Sequence, residues 1–163
     1  ETLRVYSHET GLAINHEKLL SGLKHTFWPG RLERINEQPL LVLDGAHNEH
    51  AMKTLVETIK KNFAQQEVYI IMATMRDKNI QGMVDQLEEI PNSHLILTSF
   101  DYPRAAGIEE LSKVTLKNGA VTEHWQKALV DSLNEMDETG IVLVTGSLYF
   151  ISEVRKYLNE TND

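Results

Sequence analysis

Short runs of apolar residues alternate along the chain with longer segments in which apolar residues recur at helical spacing. The apolar runs predict strands at residues 40–43, 68–72, 94–98 and 141–144. Apolar residues that recur every three or four positions predict helices at residues 17–26, 51–63, 83–90, 108–114, 124–136 and 151–158. Strands and helices that alternate in this way are typical of an α/β fold.

The order of these elements predicts an open, mostly parallel sheet of about six strands with helices on both faces, because right-handed crossovers join successive parallel strands. The segment from Arg31 to Ile35 is joined to the strand at 40–43 by a tight turn, which predicts an antiparallel edge strand. In such sheets ligands bind beyond the carboxyl ends of the strands. Functional residues are therefore expected in the loops after Leu43, Met72, Thr98 and Val144.

Composition excludes several classes of protein. The 163 residues include 16 Lys and Arg against 24 Asp and Glu, a net charge of −8, and the scattered cations argue against general nucleic-acid binding. No apolar run reaches the length of a membrane span. The absence of cysteine excludes disulfides and thiolate zinc sites and fits a reducing, cytoplasmic compartment. Since the chain starts at Glu1 without an initiator Met, we expect it to be a piece of a longer protein.

Polar residues follow three of the predicted strands. Asp44 and His47 follow the first parallel strand, residues 77–78 follow the second, and residues 146–147 follow the last. A glycine-containing loop that enters a helix can bind an anion through its free backbone N–H groups, but the same loop is typical of an ordinary helix start with Ser147 as N-cap. Asp44 has a similar alternative, since an Asp at a strand end often accepts hydrogen bonds from its own turn.

Other assignments of these residues are weaker. His47 and His50 have the spacing of a metal-binding pair, but a third ligand is lacking, and two solvent-facing histidines are the simpler interpretation. Asp44, His47 and Ser147 lack the nucleophile-elbow pattern of a hydrolase triad. Residues 77–78, Asp-Lys, fit a surface ion pair. Because neither a P-loop nor the dinucleotide fingerprint occurs, these residues by themselves indicate an α/β domain with an anion-tolerant crevice.

Three strings carry a more specific signal: WPGRLE at 28–33, LDGAHN at 43–48 and TGSLYF at 145–150. In this order and at these separations they resemble the C-terminal domain of the folylpolyglutamate synthases, also called dihydrofolate synthases, of the Mur ligase family. The resemblance covers residues 17–158. It implies a Rossmann-like C-terminal domain over residues 27–163, preceded by a segment and helix of the interdomain region over residues 1–26. Residues 1–16 match no segment of the family, and Glu49 stands where the family often has Pro.

The resemblance implies an activity. The family couples ATP cleavage to amide formation: a carboxylate is phosphorylated to an acyl phosphate, and the amine of L-glutamate displaces the phosphate. The larger N-terminal domain carries the P-loop and the Mg²⁺ ligands and supplies most of the contacts with ATP, glutamate and folate, and the C-terminal domain closes over the nucleotide. The family precedent is a cytoplasmic monomer. Dihydropteroate, reduced folates, or both remain open as acceptors of glutamate.

The resemblance also implies roles for four residues. Arg31 is expected to contact the ATP phosphates and to act in catalysis, and Asp44 to contact the nucleotide through the ribose or a metal-bound water. His47 and Ser147 are expected on the side where glutamate binds, with His47 also in catalysis. No metal ligand is assigned to this chain. Substitution of Asp44 or His47 is expected to impair activity and hardly to change stability.

Two interpretations follow for the whole chain. The first is one part of an ATP-dependent glutamate ligase, which folds alone but neither hydrolyses ATP nor ligates glutamate by itself. The second is a stand-alone α/β binding module for an anionic metabolite or a protein partner. A P-loop domain encoded upstream of Glu1 in the parent reading frame would distinguish the first from the second.

Overall fold

The computed structural model describes residues 2–26 and 28–161. Its helices are α1 (Thr2–Thr10), α2 (His16–Lys24), α3 (Glu49–Asn62), α4 (Ile80–Leu87), α5 (Ile108–Leu111), α6 (Trp125–Glu135) and α7 (Leu148–Thr161). Its strands are β1 (Glu33–Glu37), β2 (Leu40–Leu43), β3 (Val68–Met72), β4 (Ser93–Thr98), β5 (Gly119–Thr122) and β6 (Ile141–Thr145).

The six strands form one sheet in the order β1-β2-β6-β3-β4-β5. Strand β1 pairs antiparallel with β2, and every other pair is parallel, which confirms the predicted fold class. The central strands β3 and β6 are buried along their whole length, as their continuous apolar sequences predict.

The predicted start of the edge strand at Arg31 is wrong. Strand β1 begins at Glu33, because Gly30 and Leu32 both have positive φ, at 68° and 44°, and turn the chain before pairing starts. Arg31 therefore lies in a turn rather than in the ladder, and strand alternation does not decide the direction of its side chain.

Two apolar layers enclose the sheet. Helices α3, α4 and α5 cover one face through side chains such as Met52, Val84 and Leu111. Helices α6 and α7 cover the other face, where Trp125 and Phe150 pack edge to face with ring centroids 5.8 Å apart. Since both faces are covered, only the ends of the strands remain open to a ligand.

The first two helices differ from the rest. Helix α2 confirms the predicted helix and begins at an N-cap, where the Asn15 side chain accepts from the Lys18 N–H at 2.9 Å. Helix α1 was not predicted, because the periodicity of residues 1–16 is weak. Neither α1 nor α2 buries a residue. Phe27, the first residue of the predicted C-terminal domain, lies outside the described residues.

Close packing ties three strand ends together at the carboxyl edge. The Gly146 N–H donates to the Ala46 carbonyl at 3.0 Å, and Gly146 has a φ of 108°. A Cβ at this position would lie 2.4 Å from the Ala73 carbonyl oxygen, so only glycine fits. The loops after β2, β3 and β6 are therefore held at fixed positions relative to one another.

None of the helices in the described ranges combines the length and the apolar character that crossing a bilayer requires.

Candidate functional site

A pocket of about 280 Å³ opens at the carboxyl end of β2. Its walls are formed by Arg31, Leu32, Asp44, Ala46, His47, Ala51, Thr54, Leu55 and Thr58. This pocket, the β2 pocket below, brings together three of the four predicted site residues, and Ser147 is not in its lining. A larger cavity of about 610 Å³ lies at the opposite end of the sheet, between the β1–β2 turn and the α6–β6 loop, but none of the described residues that line it is cationic. Of these two, the β2 pocket is the one lined by a cationic side chain, Arg31.

Residues 28–32 form a turn that presents Arg31 to this pocket. In this Arg31 turn, the Arg31 N–H donates to the Trp28 carbonyl at 3.1 Å, and the Gly30 carbonyl accepts from the Gly45 N–H at 2.7 Å. A Cβ at Gly45 would lie 3.1 Å from Arg31 Nη1 and 2.1 Å from a methyl group of Leu148. The guanidinium therefore lies close to the Gly45 backbone, where a larger residue would crowd both Leu148 and Arg31.

The Arg31 guanidinium has no ion-pair partner within residues 2–26 and 28–161. A guanidinium keeps its charge at any physiological pH and presents donors in a planar fork that fits phosphate or carboxylate oxygens. The side chain is exposed and lines the β2 pocket. Its donors are therefore available to an anionic ligand.

The Asp44 carboxylate is engaged by the backbone. It is 8% exposed, and its Oδ1 accepts from the Ala46 N–H while its Oδ2 accepts from the Leu32 N–H, both at 2.9 Å. The bond from Ala46 is the interaction of Asp44 with its own turn that the sequence left as an alternative. The bond from Leu32 joins Asp44 to the Arg31 turn. Contact with a nucleotide stays a prediction. The expectation of a small effect on stability no longer holds, because removing the carboxylate leaves two backbone donors without partners.

His47 is half-buried in the wall of the β2 pocket, and its ring is fixed by the backbone. Its Nδ1 lies 2.8 Å from the Gly45 carbonyl oxygen. Because a carbonyl only accepts, Nδ1 donates, and in the neutral ring Nε2 keeps a free lone pair. His50 is exposed, and within the described ranges no group of three His, Asp or Glu residues is arranged to hold a metal ion.

Ser147 caps helix α7. Its side chain is buried, and its Oγ accepts from the Tyr149 N–H at 3.2 Å, which is the helix-start interaction that the sequence left as an alternative. The hydroxyl keeps its own proton for donation. Asp44, His47 and Ser147 each bond to the backbone, and among the described residues no hydrogen bond joins them to one another as in a hydrolase triad.

Comparison with known proteins identifies the family. Residues 30–148 match the family model described as the Mur ligase, glutamate ligase domain. The chain belongs to this family. It is 39% identical over 146 residues to the dihydrofolate synthase/folylpolyglutamate synthase of Bacillus subtilis, covering 89% of this chain and 34% of that protein. It is 34% identical to the folylpolyglutamate synthase of Lacticaseibacillus casei, covering 97% and 36%.

The fold of this glutamate ligase domain is also that of a solved ligase. It aligns with a TM-score of 0.82 and 28% identity to the Yersinia pestis bifunctional folylpolyglutamate synthase/dihydrofolate synthase complexed with AMPPNP and a Mn ion, covering 93% of this chain and 36% of that chain. The chain therefore spans about a third of the length of the relatives it matches.

The glutamate ligase domain carries further charged residues in residues 75–78 and 101–105, the 76–104 loops below. Arg104 Nη2 donates to both oxygens of Asp77 at 3.2 and 3.3 Å, and Lys78 Nζ lies 3.8 Å from the same carboxylate, which confirms the predicted ion pair. Arg76 Nη2 donates to the carbonyls of Pro103 and Ala105 at 3.0 and 3.2 Å. Sequence reasoning missed this cross-link between the two loops.

The ion pairs of Asp77 act on its protonation. Desolvation raises the pKa of the Asp77 carboxyl, but hydrogen bonding to its own backbone and the hydrogen bond and charge of Arg104, with a smaller effect of Lys78, outweigh it. The pKa therefore lies below its ordinary value of 3.8. Asp77 is ionised at neutral pH and holds Arg104 in the loop.

Sequence reasoning also missed Glu33, a buried carboxylate of the glutamate ligase domain at the first residue of β1. It is 5% exposed and accepts a hydrogen bond from the Arg31 turn. A charged residue in an edge strand ordinarily predicts an exposed side chain. The feature that could have singled out Glu33 is its place at the end of the WPGRLE string.

Proposed function

We propose that this chain is the C-terminal part of an ATP-dependent ligase that adds L-glutamate to folate through an acyl phosphate. The family match and the likeness to synthases of folylpolyglutamate support this proposal. The chain spans about a third of those relatives, so the P-loop, the Mg²⁺ ligands and the pterin pocket are assigned to the upstream part of the same polypeptide. The enzyme acts as a cytoplasmic monomer.

The observation that carries the proposal is the Arg31 guanidinium, which has no ion-pair partner among the described residues and lies in the β2 pocket beside His47. Arg31 binds the ATP phosphates and offsets the negative charge that develops as the phosphoryl group moves to the carboxylate. Because the pocket lies at the rim of the sheet, closing this domain over the upstream part brings Arg31 to the nucleotide and excludes water from the acyl phosphate.

The second step needs a neutral amine and a bound glutamate carboxylate. His47 contacts the incoming glutamate, and its Nε2, the free lone pair of a ring held through Nδ1, accepts the proton of the attacking amine. Ser147 and the start of the 14-residue helix α7 bind a glutamate carboxylate. The amine attacks the acyl carbon, and phosphate leaves with the oxygen that came from the folate carboxylate.

Residues 1–26 belong to the interdomain region in this proposal, and residues 27–163 to the closing domain. Helices α1 and α2 support this boundary because they bury no residue and expose large apolar side chains, namely Leu3, Val5, Tyr6, Leu20 and Leu23. Such helices are expected to pack against the upstream part of the full-length ligase.

The test is ligation by the full-length ligase with tetrahydrofolate, ATP, Mg²⁺ and L-glutamate. We expect glutamate-dependent release of ADP and phosphate, and with ¹⁸O in the reacting carboxylate we expect one ¹⁸O in each phosphate released. His47→Ala should lose ligation, whereas His50→Ala, at an exposed position in the first turn of helix α3, should keep it. Phosphate without ¹⁸O would contradict the acyl phosphate, and equal activity of the two variants would remove His47 from the site.

Dihydropteroate is proposed as a second acceptor, since the Bacillus subtilis relative carries both activities in its name. The same assay with dihydropteroate in place of tetrahydrofolate tests this. If glutamate-dependent ADP release occurs with tetrahydrofolate and does not occur with dihydropteroate, the ligase is restricted to polyglutamylation.

A further inference from the structure

Glu33 is a buried carboxylate with two partners. Its side chain is 3% exposed, Oε2 accepts from the Gly30 N–H at 2.7 Å, and Oε1 lies 3.3 Å from Arg155 Nη2 on helix α7. A buried carboxylate is costly unless every oxygen is paired or hydrogen-bonded. Here one oxygen is used by an ion pair and the other by the backbone of the Arg31 turn.

The two residues that flank Arg31 are held in the same way. Gly30 and Leu32 both have positive φ, which a branched residue such as Leu32 adopts only when its surroundings enforce it. The Gly30 N–H is bound by Glu33, and the Leu32 N–H is bound by Asp44. Two buried carboxylates therefore fix the backbone on either side of Arg31 without contacting its guanidinium.

We propose that Glu33 is a positioning residue that sets the conformation of the Arg31 turn, and through it the place where the Arg31 guanidinium meets its anionic ligand. The kinetic consequences rest on the proposed function, whereas the conformational consequence does not. The competing explanation is that Glu33 serves only to pair with Arg155 and stabilise the packing of α7 on β1.

Three variants of the full-length ligase separate these explanations. Glu33→Ala removes both interactions, Arg155→Met removes the ion pair and keeps the bond to Gly30, and Glu33→Gln keeps an acceptor for Gly30 without the charge. If Glu33 acts through the turn, the effects on hydrogen exchange and on kcat are largest for Glu33→Ala, smaller for Glu33→Gln and smallest for Arg155→Met. If it acts through the ion pair, Arg155→Met matches Glu33→Ala.

Hydrogen exchange measures the conformation independently of activity. In exchange followed by mass spectrometry, we expect peptides across residues 29–35 to exchange at least about tenfold faster in Glu33→Ala, because the Gly30 N–H loses its partner. Arg155→Met should leave this exchange close to wild type. Unchanged exchange in a folded Glu33→Ala protein, or an equal increase in Arg155→Met, overturns the proposal.

Ligation kinetics test whether Glu33 acts through Arg31. We expect Glu33→Ala to lower kcat roughly tenfold or more and Glu33→Gln to recover most of the loss. Arg31→Ala should change the same kinetic constant. The double variant Arg31→Ala/Glu33→Ala should be no slower than Arg31→Ala alone, since a turn without its arginine has nothing left to position. Losses that multiply would show that Glu33 acts independently of Arg31 and overturn the proposal.

Failure of the proposed function looks different from failure of this inference. If Arg31→Ala keeps full ligation, or the wild-type protein ligates no glutamate, the phosphate role of Arg31 falls, and the exchange of residues 29–35 alone decides whether Glu33 holds the turn. If Arg31→Ala is impaired and Glu33→Ala is not, the proposed function stands and the inference about Glu33 is wrong.

Discussion

The Arg31 turn and the 76–104 loops lie at the same edge of the sheet, and each combines arginines with carboxylates. In the 76–104 loops the arginines are used internally: Arg104 pairs with Asp77, and Arg76 donates to two carbonyls of the facing loop. Beside the Arg31 turn, the carboxylates Glu33 and Asp44 bind its backbone N–H groups, and the second oxygen of Glu33 pairs with Arg155 of α7. The Arg31 guanidinium is left unpaired among the described residues.

The difference indicates how a folded protein keeps a cation available for a ligand. A carboxylate beside an arginine normally takes its donors. Here the oxygens of Asp44 are filled by backbone N–H groups and those of Glu33 by the Gly30 N–H and Arg155, so both attract the Arg31 guanidinium only through screened charge. Under the proposed function, the two regions separate an arginine for binding from arginines for structure, and substitutions in each should affect different measurements.

The largest effect is expected for Arg31→Lys in the full-length ligase. Lysine keeps the charge and loses the planar fork, so a bidentate contact with phosphate is lost. The loss is about 1.5–3 kcal/mol of transition-state stabilisation, or roughly ten- to a hundredfold in kcat. Steady-state kinetics with saturating ATP measure it.

Arg34→Lys is the matched control for this prediction. Arg34 is exposed in β1 and pairs with Glu37 at 3.2 Å, a surface interaction that contributes little. Equal, small effects at both positions would mean that Arg31 is a solvated surface charge and that the contrast between the two regions has no functional meaning.

Asp44→Ala comes next, because it removes the acceptor of two backbone N–H groups. We expect a loss of about 1–3 kcal/mol in the free energy of unfolding together with a fall in ligation, since the Leu32 N–H is released from its carboxylate. Urea denaturation and steady-state kinetics measure the two effects. A variant with wild-type stability and impaired ligation would favour direct contact with the nucleotide instead.

The sequence allowed prediction of the sheet because its signals are local. Strands β2, β3 and β6 are continuous apolar runs, and their carboxyl ends directed attention to Asp44 and His47, which line the β2 pocket. The Arg31 turn was not predictable in this way. Leucine rarely adopts positive φ, and the carboxylate that bonds to Leu32 lies 12 residues further along the chain.

The 76–104 loops show the same limit at longer range. Asp77 was predicted to pair with its neighbour Lys78, but its stronger partner Arg104 lies 27 residues away. Arg76 likewise bonds to Ala105 across 29 residues. Single-sequence patterns report contacts within a turn of helix or a hairpin, whereas these contacts arise only after two crossover units have packed side by side.

A moderate effect on stability alone is expected for Arg76→Ala. Arg76 is exposed, but one of its nitrogens joins the two loops by bonding to the Pro103 and Ala105 carbonyls. We expect a loss of about 0.5–1.5 kcal/mol in unfolding free energy and ligation within about twofold of wild type. A tenfold loss of ligation at wild-type stability would show that the 76–104 loops also bind ligand, and the contrast with the Arg31 turn would fail.

The smallest effect is expected for Asp77→Asn, and it depends on pH. Because the folded-state pKa of Asp77 lies below its ordinary value of 3.8, the ionised form stabilises the fold above that value, and this contribution is lost as pH falls through the lowered pKa. The melting temperature of Asp77→Asn should therefore lie slightly below wild type at pH 6 and converge with it as the pH falls below 3.8 and through the lowered pKa. Added salt should reduce the difference at pH 6, since Asp77 and Arg104 are both partly exposed. Asp101→Asn, at an exposed position of the facing loop, serves as the control and should show no such convergence. If the two variants melt alike at every pH, Asp77 does not hold Arg104, and the assignment of Arg104 to structure would have to be withdrawn.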